Sequence, residues 1–372
     1  MSGKAAWISL AAVIIAFRAF LRYYPAFGGM PSQADRRAYR GRNPQFDGKQ
    51  FQYPETWAAD SGLHDDRISD KRTVPQTALP AGNPDFQQRN GLHITWMGHS
   101  SVLLQINRTN ILIDPIFSER CFPLQWLGPK RFSHSGVQTG DLPEIHVLLL
   151  THDHHDHLDP QTIRALDHQV QHYIVPLGVE KHLLRWGVSA EKIHRLGWWE
   201  HLSLYGAEWI CTPTRHFSGR RLIDQNRTQW CSYVLRADGR TVFVSGDGGF
   251  GGHFAEIHRR FGDMDLALME CGQYNRRWHW GHLYPEESAA AAGILGAKCA
   301  MPVHWGAFVL SDHAWDDPPE RFVRAAEQAH LPVLTPKIGE TVSLDDAGKH
   351  QTRWWKEIRY QNTGFHCERV KM

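Results

Sequence analysis

A histidine-rich segment follows an apolar run near the middle of the sequence. Residues 146–150 read His-Val-Leu-Leu-Leu, and residues 151–159 read Thr-His-Asp-His-His-Asp-His-Leu-Asp. The HxHxDH pattern within this segment is formed by His152, His154, Asp156 and His157. Alternate residues of an extended loop point to the same side, so His152 and His154 can converge on one ion. Asp156 and His157 lie past the bend and can reach a second ion.

These residue types indicate a metal centre. Neutral imidazoles with one carboxylate per site suit zinc, although iron and manganese accept the same kinds of ligand, so the metal's identity stays open. The alternative interpretations are a solvated histidine-rich turn and a polyhistidine metal buffer. A buffer of that kind lies in a polar tract, whereas this segment directly follows a strand-like apolar run, which favours a metal centre.

Three further candidate ligands occur downstream of this pattern. They are His216, Asp247 and His304, and each follows a strand-like apolar run. A single His or Asp after a strand is more often a cap or turn residue. Three such residues downstream of HxHxDH, all at strand ends, favour their being further metal ligands. Together these candidates are enough for two metal ions, and two ions close together can activate water.

Short strand-like runs alternate with helical stretches from about residue 92 onward. The predicted strands are 93–97, 101–106, 111–114, 146–150, 173–176, 208–212, 230–235, 241–245, 265–270 and 299–304. The predicted helices are 160–170, 178–185, 285–295 and 319–329. This alternation, with several hairpin-like strand pairs, predicts an α/β layered domain with a mixed sheet. The candidate ligands all fall where predicted strands end.

The composition excludes several classes of protein. With 372 residues, 42% hydrophobic and 22% charged, the chain is neither disordered, collagen-like nor a coiled coil. The net charge is only +2, without the excess of basic residues that nucleic-acid-binding proteins carry, so no nucleic-acid partner is expected. The counts of 24 His and 15 Trp are high. The six cysteines include no CxxC pair, which predicts buried reduced thiols and not disulfides.

The N-terminal segment is strongly apolar. Residues 5–17 contain only one polar residue, Ser9, and the run continues through Arg18 and Arg22 to two tyrosines. As a helix extended to residue 24 it would be about 30 Å long, with both arginines near one end. We therefore predict a membrane anchor or interfacial helix; an export signal and a buried helix are the alternatives. Basic residues after the segment predict a cytoplasmic main body, with a periplasmic location as the alternative.

The order of the motifs resembles that of the metallo-β-lactamase superfamily over roughly residues 90–345. The motifs are Gly98-His-Ser-Ser101, Ile113-Asp-Pro115, residues 151–159, Thr214-Arg-His216, Ser245-Gly-Asp247 and His304-Trp-Gly306. That family implies a four-layer αββα sandwich, with the metal site along one edge of its two sheets. It also implies one zinc ion held by His152, His154 and His216, another held by Asp156, His157 and His304, and Asp247 as a bridge between them.

A narrower set of motifs looks like the N-acylphosphatidylethanolamine-hydrolysing phospholipase D family. The set comprises residues 114–120, 127–131, 214–220, 246–250, 282–288 and 304–308. In that family an active-site His stands before an acidic helix start, the place that His282 occupies here. The alternative for His282 is an N-capping or ligand-orienting residue at the start of the helix predicted over 285–295.

This resemblance implies a reaction. A binuclear zinc hydrolase would cleave a phosphodiester bond by attack of a metal-bridging hydroxide, converting N-acylphosphatidylethanolamine to N-acylethanolamine and phosphatidic acid. The residues expected to be catalytic are Asp247, which would orient the hydroxide, Asp156, and His282, which would donate a proton to the leaving alkoxide or hold the phosphate. Asp114 and Asp159 are expected to orient ligand imidazoles, together with His99.

The predicted organisation has three parts. Residues 1–29 form a hydrophobic anchor or signal segment, residues 30–90 an irregular arm, and residues 91–372 the metallo-β-lactamase-like hydrolase domain. The expected partners are a phospholipid substrate and a membrane reached through the N-terminal segment; a homodimer is left open. Trp126 and Trp278 lie in predicted loops near basic residues and suit an acyl-chain groove, with a buried aromatic cluster as the alternative.

Two other functions stay open at this point. One is a hydrolase of a soluble substrate on the same fold, such as a lactone or a nucleotide phosphodiester. The other is a non-catalytic metal-binding protein of the cell envelope. Lipid substrates tested beside soluble esters and cyclic nucleotides distinguish the first from the lipid hydrolase, and turnover of any of them excludes the second.

Overall fold

Two β-sheets form the centre of the molecule. A computed structural model describes residues 3–63, 72–87 and 90–361 of the chain. In these ranges the strands are β1 Leu92–Trp96, β2 Val102–Ile106, β3 Thr109–Ile113, β4 Ile145–Leu149, β5 Val170–Pro176, β6 Ile193–Leu196, β7 His201–Leu204, β8 Ala207–Thr212, β9 Ser232–Ala237, β10 Arg240–Val244, β11 Leu266–Glu270, β12 Ala300–Val303 and β13 Thr341–Ser343. The first sheet has the order β13-β1-β2-β3-β4-β5-β6 and the second the order β12-β11-β10-β9-β8-β7.

Helices pack on the outer face of each sheet. The helices in the described ranges are α1 Gly3–Tyr23, α2 Gln33–Arg42, α3 Pro160–Leu166, α4 Glu180–Trp186, α5 His253–Phe261, α6 Pro285–Ile294, α7 Asp317–Gln328 and α8 Trp354–Gln361, and α3, α4, α6 and α7 among them contact the sheets. Side chains of α3 and α4 pack in one hydrophobic cluster with the first sheet. On the second sheet, α6 contacts β11 and α7 contacts β12. The predicted αββα sandwich is therefore confirmed.

The first sheet is buried on both faces, which explains its continuous apolar sequence. Leu103, Leu112 and Leu148 belong to the cluster shared with α3 and α4. Their neighbours along the strands, such as Leu104 and Val147, belong to the core that includes the second sheet. Successive side chains of a strand point to opposite faces, so each strand contributes alternately to the two cores.

Strand direction brings the candidate ligands to one edge of the sandwich. In the first sheet, β3 and β4 run parallel, and β1 has the same direction because two antiparallel pairings separate it from β3. In the second sheet, β10, β11 and β12 run parallel, and β8 shares their direction for the same reason. The chain segments that follow the carboxyl ends of these strands therefore meet at a common edge.

The N-terminal part consists of α1 and an arm that lies against the domain. Within the described ranges, no helix combines the length and the apolar character needed to cross a membrane. The membrane anchor or interfacial helix stays a prediction. In the arm, Tyr39 packs between Phe46 and Phe51, and its hydroxyl donates to Glu180 of α4.

Several elements differ from the sequence-based prediction. The short strands β6, β7 and β13 and the helices α2, α5 and α8 were not predicted, whereas the ten predicted strands all correspond to strands of the two sheets. Cys121, Cys211, Cys231, Cys271 and Cys299 are buried free thiols, as predicted. The sixth cysteine, Cys367, lies outside the described residues.

Candidate metal centre

Three imidazoles from two loops form the first group of candidate ligands. His152 Nε2 lies 2.9 Å from His154 Nδ1, which lies 3.1 Å from His216 Nε2. With Zn–N bonds of about 2.0–2.1 Å, the nitrogens of a tetrahedral site are about 3.3 Å apart, close to this spacing. The loop after β4 supplies the first two residues and the loop after β8 supplies the third. These three nitrogens can share one ion.

The second group surrounds the carboxylate of Asp156. Its Oδ2 lies 3.6 Å from His157 Nε2 and 4.0 Å from His304 Nε2. Among the described residues, neither of these buried nitrogens makes a hydrogen bond. Buried polar atoms rarely lack a partner, so an unobserved ion is a direct explanation for both. His99 is also part of this group, with Nε2 3.0 Å from Asp156 Oδ2.

Asp247, which follows β10, lies between the two groups. Its Oδ2 is 3.1 Å from His157 Nε2 and 3.8 Å from the Nε2 atoms of both His152 and His216. Its Oδ1 is 3.2 Å from His304 Nδ1. The structure thus brings together the residues that the family resemblance assigns to two ions, with His99 added to the second group, and this donor set of imidazoles and carboxylates suits a pair of metal ions.

The charges of these groups favour cation binding. Burial and neighbouring imidazoles lower the pKa values of His152 and His216, so both are neutral, the form that binds metals. Burial would raise the pKa of the Asp247 carboxyl, but His157 and His304 hold it well below its usual range. Burial would lower the pKa of His157, but Asp247 and Asp156 raise it. A metal ion at His157 must therefore displace a proton.

Three residues of the site have a left-handed backbone. The φ angles are 53° at His99, 39° at Asp114 and 69° at His304. Such conformations cost about 1–3 kcal/mol each in a non-glycine residue and persist where surrounding structure fixes them. Two backbone hydrogen bonds do so here, because His99 N donates to Trp305 O and His304 N donates to His99 O. These bonds join the loops after β1 and β12 and set the positions of both imidazoles.

Asp114, after β3, orients the ligand loop. Its Oδ2 accepts hydrogen bonds from His157 Nδ1 at 2.8 Å and from Thr151 Oγ1 at 2.6 Å, and its Oδ1 accepts one from Thr151 N. This directs His157 Nε2 toward the metal position, as predicted for a ligand-orienting residue. The same expectation for Asp159 is wrong. Its carboxylate caps α3 by accepting from the backbone N–H groups of Gln161 and Thr162.

We expect Asp114→Asn to weaken metal binding by about 10–100-fold, because the neutral amide no longer fixes and polarises the His157 imidazole. Zinc titration of metal-free protein in a competing chelator measures this directly. Asp345→Asn is a matched control, since Asp345 pairs with Arg240 at the surface. Equal zinc affinity in Asp114→Asn and the control would show that Asp114 does not support the metal site.

The metal centre forms the floor of an open cleft of about 260 Å³. Phe217, Trp278 and Leu310 contribute apolar walls, and His282 lines the cleft beside Asp247 and His304. His282 does not cap α6; Glu287 does so by accepting from Tyr284 N. Trp278 thus lies at the cleft, which agrees with the acyl-chain groove and not with a buried aromatic cluster. Trp126 is 75% exposed on another loop.

A buried carboxylate that the sequence analysis missed holds His282. Glu270, the last residue of β11, lies 3.0 Å through Oε2 from His282 Nδ1, and its Oε1 accepts hydrogen bonds from Gly248 N and Leu283 N. Burial raises the pKa of Glu270 to about 7. Burial would lower the pKa of His282, but Glu270, Asp247 and Asp156 raise it to about 9. The carboxylate of Glu270 therefore favours the protonated form of His282.

Comparisons with a family model, with known proteins and with solved structures agree on one superfamily. A model described as a β-lactamase superfamily domain matches residues 109–305. An uncharacterized protein of Mycobacterium tuberculosis is 36% identical over 289 residues, covering 76% of this chain and 77% of its own length.

Two further relatives bear on the fold and the reaction. N-acyl-phosphatidylethanolamine-hydrolyzing phospholipase D 1 of Caenorhabditis elegans is 29% identical over 303 residues, covering 72% of this chain and 83% of its own length. Igni18, a metallo hydrolase from Ignicoccus hospitalis, has a TM-score of 0.52 at 17% identity, covering 68% of this chain and 97% of that one. The likeness to Igni18 concerns the fold alone.

Proposed function

Because the chain belongs to the metallo-β-lactamase superfamily and is a metal-dependent hydrolase, we propose that it binds two zinc ions and cleaves a phospholipid phosphodiester bond. The proposed substrate is N-acylphosphatidylethanolamine, and the products are N-acylethanolamine and phosphatidic acid. The similarity to a phospholipase D of that specificity supports this choice. The observation that carries the proposal is the position of His282, held by Glu270, in the cleft beside two ligand groups that both contact Asp247.

The two ligand groups would hold the metal pair. His152, His154 and His216 form one group, and Asp156, His157 and His304 form the other, with Asp247 shared. When bound, two zinc ions supply Lewis acidity, which lowers the pKa of water and offsets negative charge on a phosphoryl group. The chain's own residues fix the separation of the two groups, because Asp247 contacts members of both.

His282 is placed to serve the leaving group. Its Nδ1 is held by Glu270, so Nε2 is the nitrogen left for the substrate. In the proposed hydrolysis a bond forms between a water oxygen and phosphorus, and the bond from phosphorus to the ethanolamine oxygen breaks. The departing alkoxide takes the proton from His282, and a proton of the attacking water restores the imidazolium. A cationic imidazole can also bind the phosphodiester before the reaction.

The size of the cleft suits a headgroup and not a whole lipid. A volume of about 260 Å³ can take the phosphodiester and its nearest atoms, so the acyl chains must lie along the apolar walls or outside. Phe217 and Trp278 provide such walls at the cleft. The exposed side chain of Trp280, whose ring lies 5.3 Å from that of Phe217, extends the apolar surface outward.

We expect Glu270→Gln to lower kcat by about 10–100-fold with a smaller change in KM, because an amide can replace only one of the two accepting oxygens. Either His282 Nδ1 or the backbone N–H groups of Gly248 and Leu283 then face an NH2 group. Steady-state kinetics with N-acylphosphatidylethanolamine measure the effect. Glu256→Gln, on the surface of α5, is the control, and equal kcat values in the two variants would contradict the role of Glu270.

A substrate panel tests the proposed function. Zinc-loaded protein should hydrolyse micellar N-acylphosphatidylethanolamine faster than it hydrolyses lactones or cyclic nucleotides at equal concentration. Turnover of a soluble substrate without lipid turnover would replace the proposal with the soluble-substrate alternative. A lack of turnover with every substrate, at full zinc occupancy, would favour a non-catalytic metal-binding protein.

A further inference from the structure

An exposed apolar surface lies beside the metal-binding loop. It is formed by α1, by the loop tip Leu222–Ile223 after β8, and by the loop around Trp126 after β3. On α1, Trp7 and Val13 are among the exposed side chains, and Leu222 is 83% exposed. Exposed apolar groups that form one patch mark a binding surface, whereas scattered ones do not. We call these three segments the apolar surface.

Hydrogen bonds join the three segments into one surface. Arg221, next to the loop tip, donates from Nε to Leu21 O of α1 and from Nη2 to Gly28 O. The Tyr24 hydroxyl, just after α1, donates to Pro123 O at 3.2 Å, in the loop that carries Trp126. The end of α1 therefore contacts both loops, and Ile223 of the loop tip lines one groove together with α1.

A groove with a cationic rim runs along this face. It has a volume of about 760 Å³, and its lining includes Phe17 and Leu21 of α1 and Ile223 of the loop tip. Arg18 and Arg22 also line it. In the part of the chain that the structure describes, no carboxylate lies within salt-bridge distance of either arginine. An apolar groove with arginines at its edge that have no carboxylate partner fits an acyl chain with an anionic headgroup.

The apolar surface is tied to the metal-binding loop by Arg220. This buried residue donates from Nη1 to Asp153 O and Leu158 O, which flank His154, Asp156 and His157, and from Nη2 to Ala26 O. The loop after β8 thus runs from Phe217, in the wall of the cleft, to Ile223, in the lining of the groove. A partner bound there lies next to the metal centre.

We propose that the apolar surface docks on an anionic phospholipid bilayer, with α1 lying in the interface and Leu222 and Ile223 inserted below the headgroups. Arg18 and Arg22 then lie at the level of the lipid phosphates, where anionic lipids attract basic residues. A second copy of the chain fits this surface less well, because a two-fold interface brings the same arginines of both copies close together. The inference goes beyond the proposed reaction, since binding to a bilayer can be measured without turnover.

Vesicle co-sedimentation of the full chain tests the inference. The protein should pellet with vesicles of phosphatidylcholine containing one-third phosphatidylglycerol, pellet less with pure phosphatidylcholine, and be released by high salt. The double variant Leu222→Ser/Ile223→Ser should lower the partition coefficient by at least about tenfold, because two apolar side chains no longer insert. Arg18→Gln/Arg22→Gln should lower it by roughly 30-fold on anionic vesicles.

Val74→Ser is the matched control, because Val74 is an exposed apolar residue outside the apolar surface. A fluorophore on Leu222→Cys should shift to an apolar environment with anionic vesicles, and one on Val74→Cys should not; this readout does not depend on how the double variants fold. Wild-type protein that stays in the supernatant would overturn the inference, as would wild-type binding by both double variants. A dimer in vesicle-free buffer that Leu222→Ser/Ile223→Ser dissociates would also overturn it.

Discussion

Replacing Asp247 with Asn is expected to lower kcat/KM for phosphodiester hydrolysis by about 10³-fold or more, since both metal positions lose a shared ligand. The Oδ2 atom lies within 3.8 Å of imidazoles in both groups, and Oδ1 faces His304. A neutral amide keeps only one oxygen and loses the negative charge that offsets two cations. Metal analysis should show that the variant retains fewer zinc ions per chain than the wild type after dialysis.

The control for this variant is Asp263→Asn. Asp263 also pairs with a histidine, His258, at 3.0 Å, but on the exposed surface near α5. This control should keep the metal content and the turnover of the wild type. Asp247→Asn has nearly the same volume as the native residue, so its fold should persist. Wild-type turnover by a well-folded Asp247→Asn protein would be incompatible with a shared metal ligand at this position.

The second large effect is expected at His282. Changing it to Gln should lower kcat for N-acylphosphatidylethanolamine by about 10²–10³-fold, because the poor alkoxide leaving group no longer receives a proton. A phosphodiester with a p-nitrophenolate leaving group needs little protonation, so its kcat should fall by less than about tenfold. This dependence on the leaving group separates proton donation from a structural role, which would affect both substrates equally.

His279→Gln serves as the matched control. His279 lies in the same segment and has its own carboxylate partner, since its Nε2 is 2.9 Å from Glu287, yet it is not among the residues that line the cleft. Turnover of both substrates should stay near the wild-type level in this control. An equal loss with both leaving groups in His282→Gln would instead indicate that His282 binds the phosphate or supports the local structure.

The candidate ligands could be predicted because each carries a local sequence pattern. The HxHxDH pattern directly follows β4, and His216, Asp247 and His304 each follow an apolar strand, so the carboxyl ends of co-directional strands bring them together. The grouping into two sets came from the family resemblance. His99, which was expected to orient ligand imidazoles, lies at the site but contacts the carboxylate of Asp156.

Glu270 could have been found by the same rule, because it ends the strand predicted over 265–270, but its pairing with His282 could not. It ends a strand of otherwise apolar residues, and its partner His282 lies 12 positions later with no fixed spacing to mark the pair. Arg220 is similar, because the three carbonyl groups that it binds are between 62 and 194 positions away. Such contacts depend on the folded topology, and a single sequence carries no pattern for them.

Among the unpredicted elements, β13 and β7 are held by their neighbours. β13 has three residues and becomes a strand by pairing with β1, and β7 alternates exposed and half-buried residues at a sheet edge. Asp159 was misassigned because an Asp before a proline-initiated helix is a good N-cap, a local role that the nearby ligands obscured. The long apolar strands were correctly predicted because burial on both faces leaves a continuous signal.

Hydrolysis of N-acylphosphatidylethanolamine in ¹⁸O-labelled water by zinc-loaded protein tests the central claim most directly. Attack of water on phosphorus predicts one ¹⁸O atom in phosphatidic acid and none in N-acylethanolamine, with two zinc ions per chain in the same sample. Label in N-acylethanolamine, or products other than these two, would contradict a phosphodiesterase of the phospholipase D type.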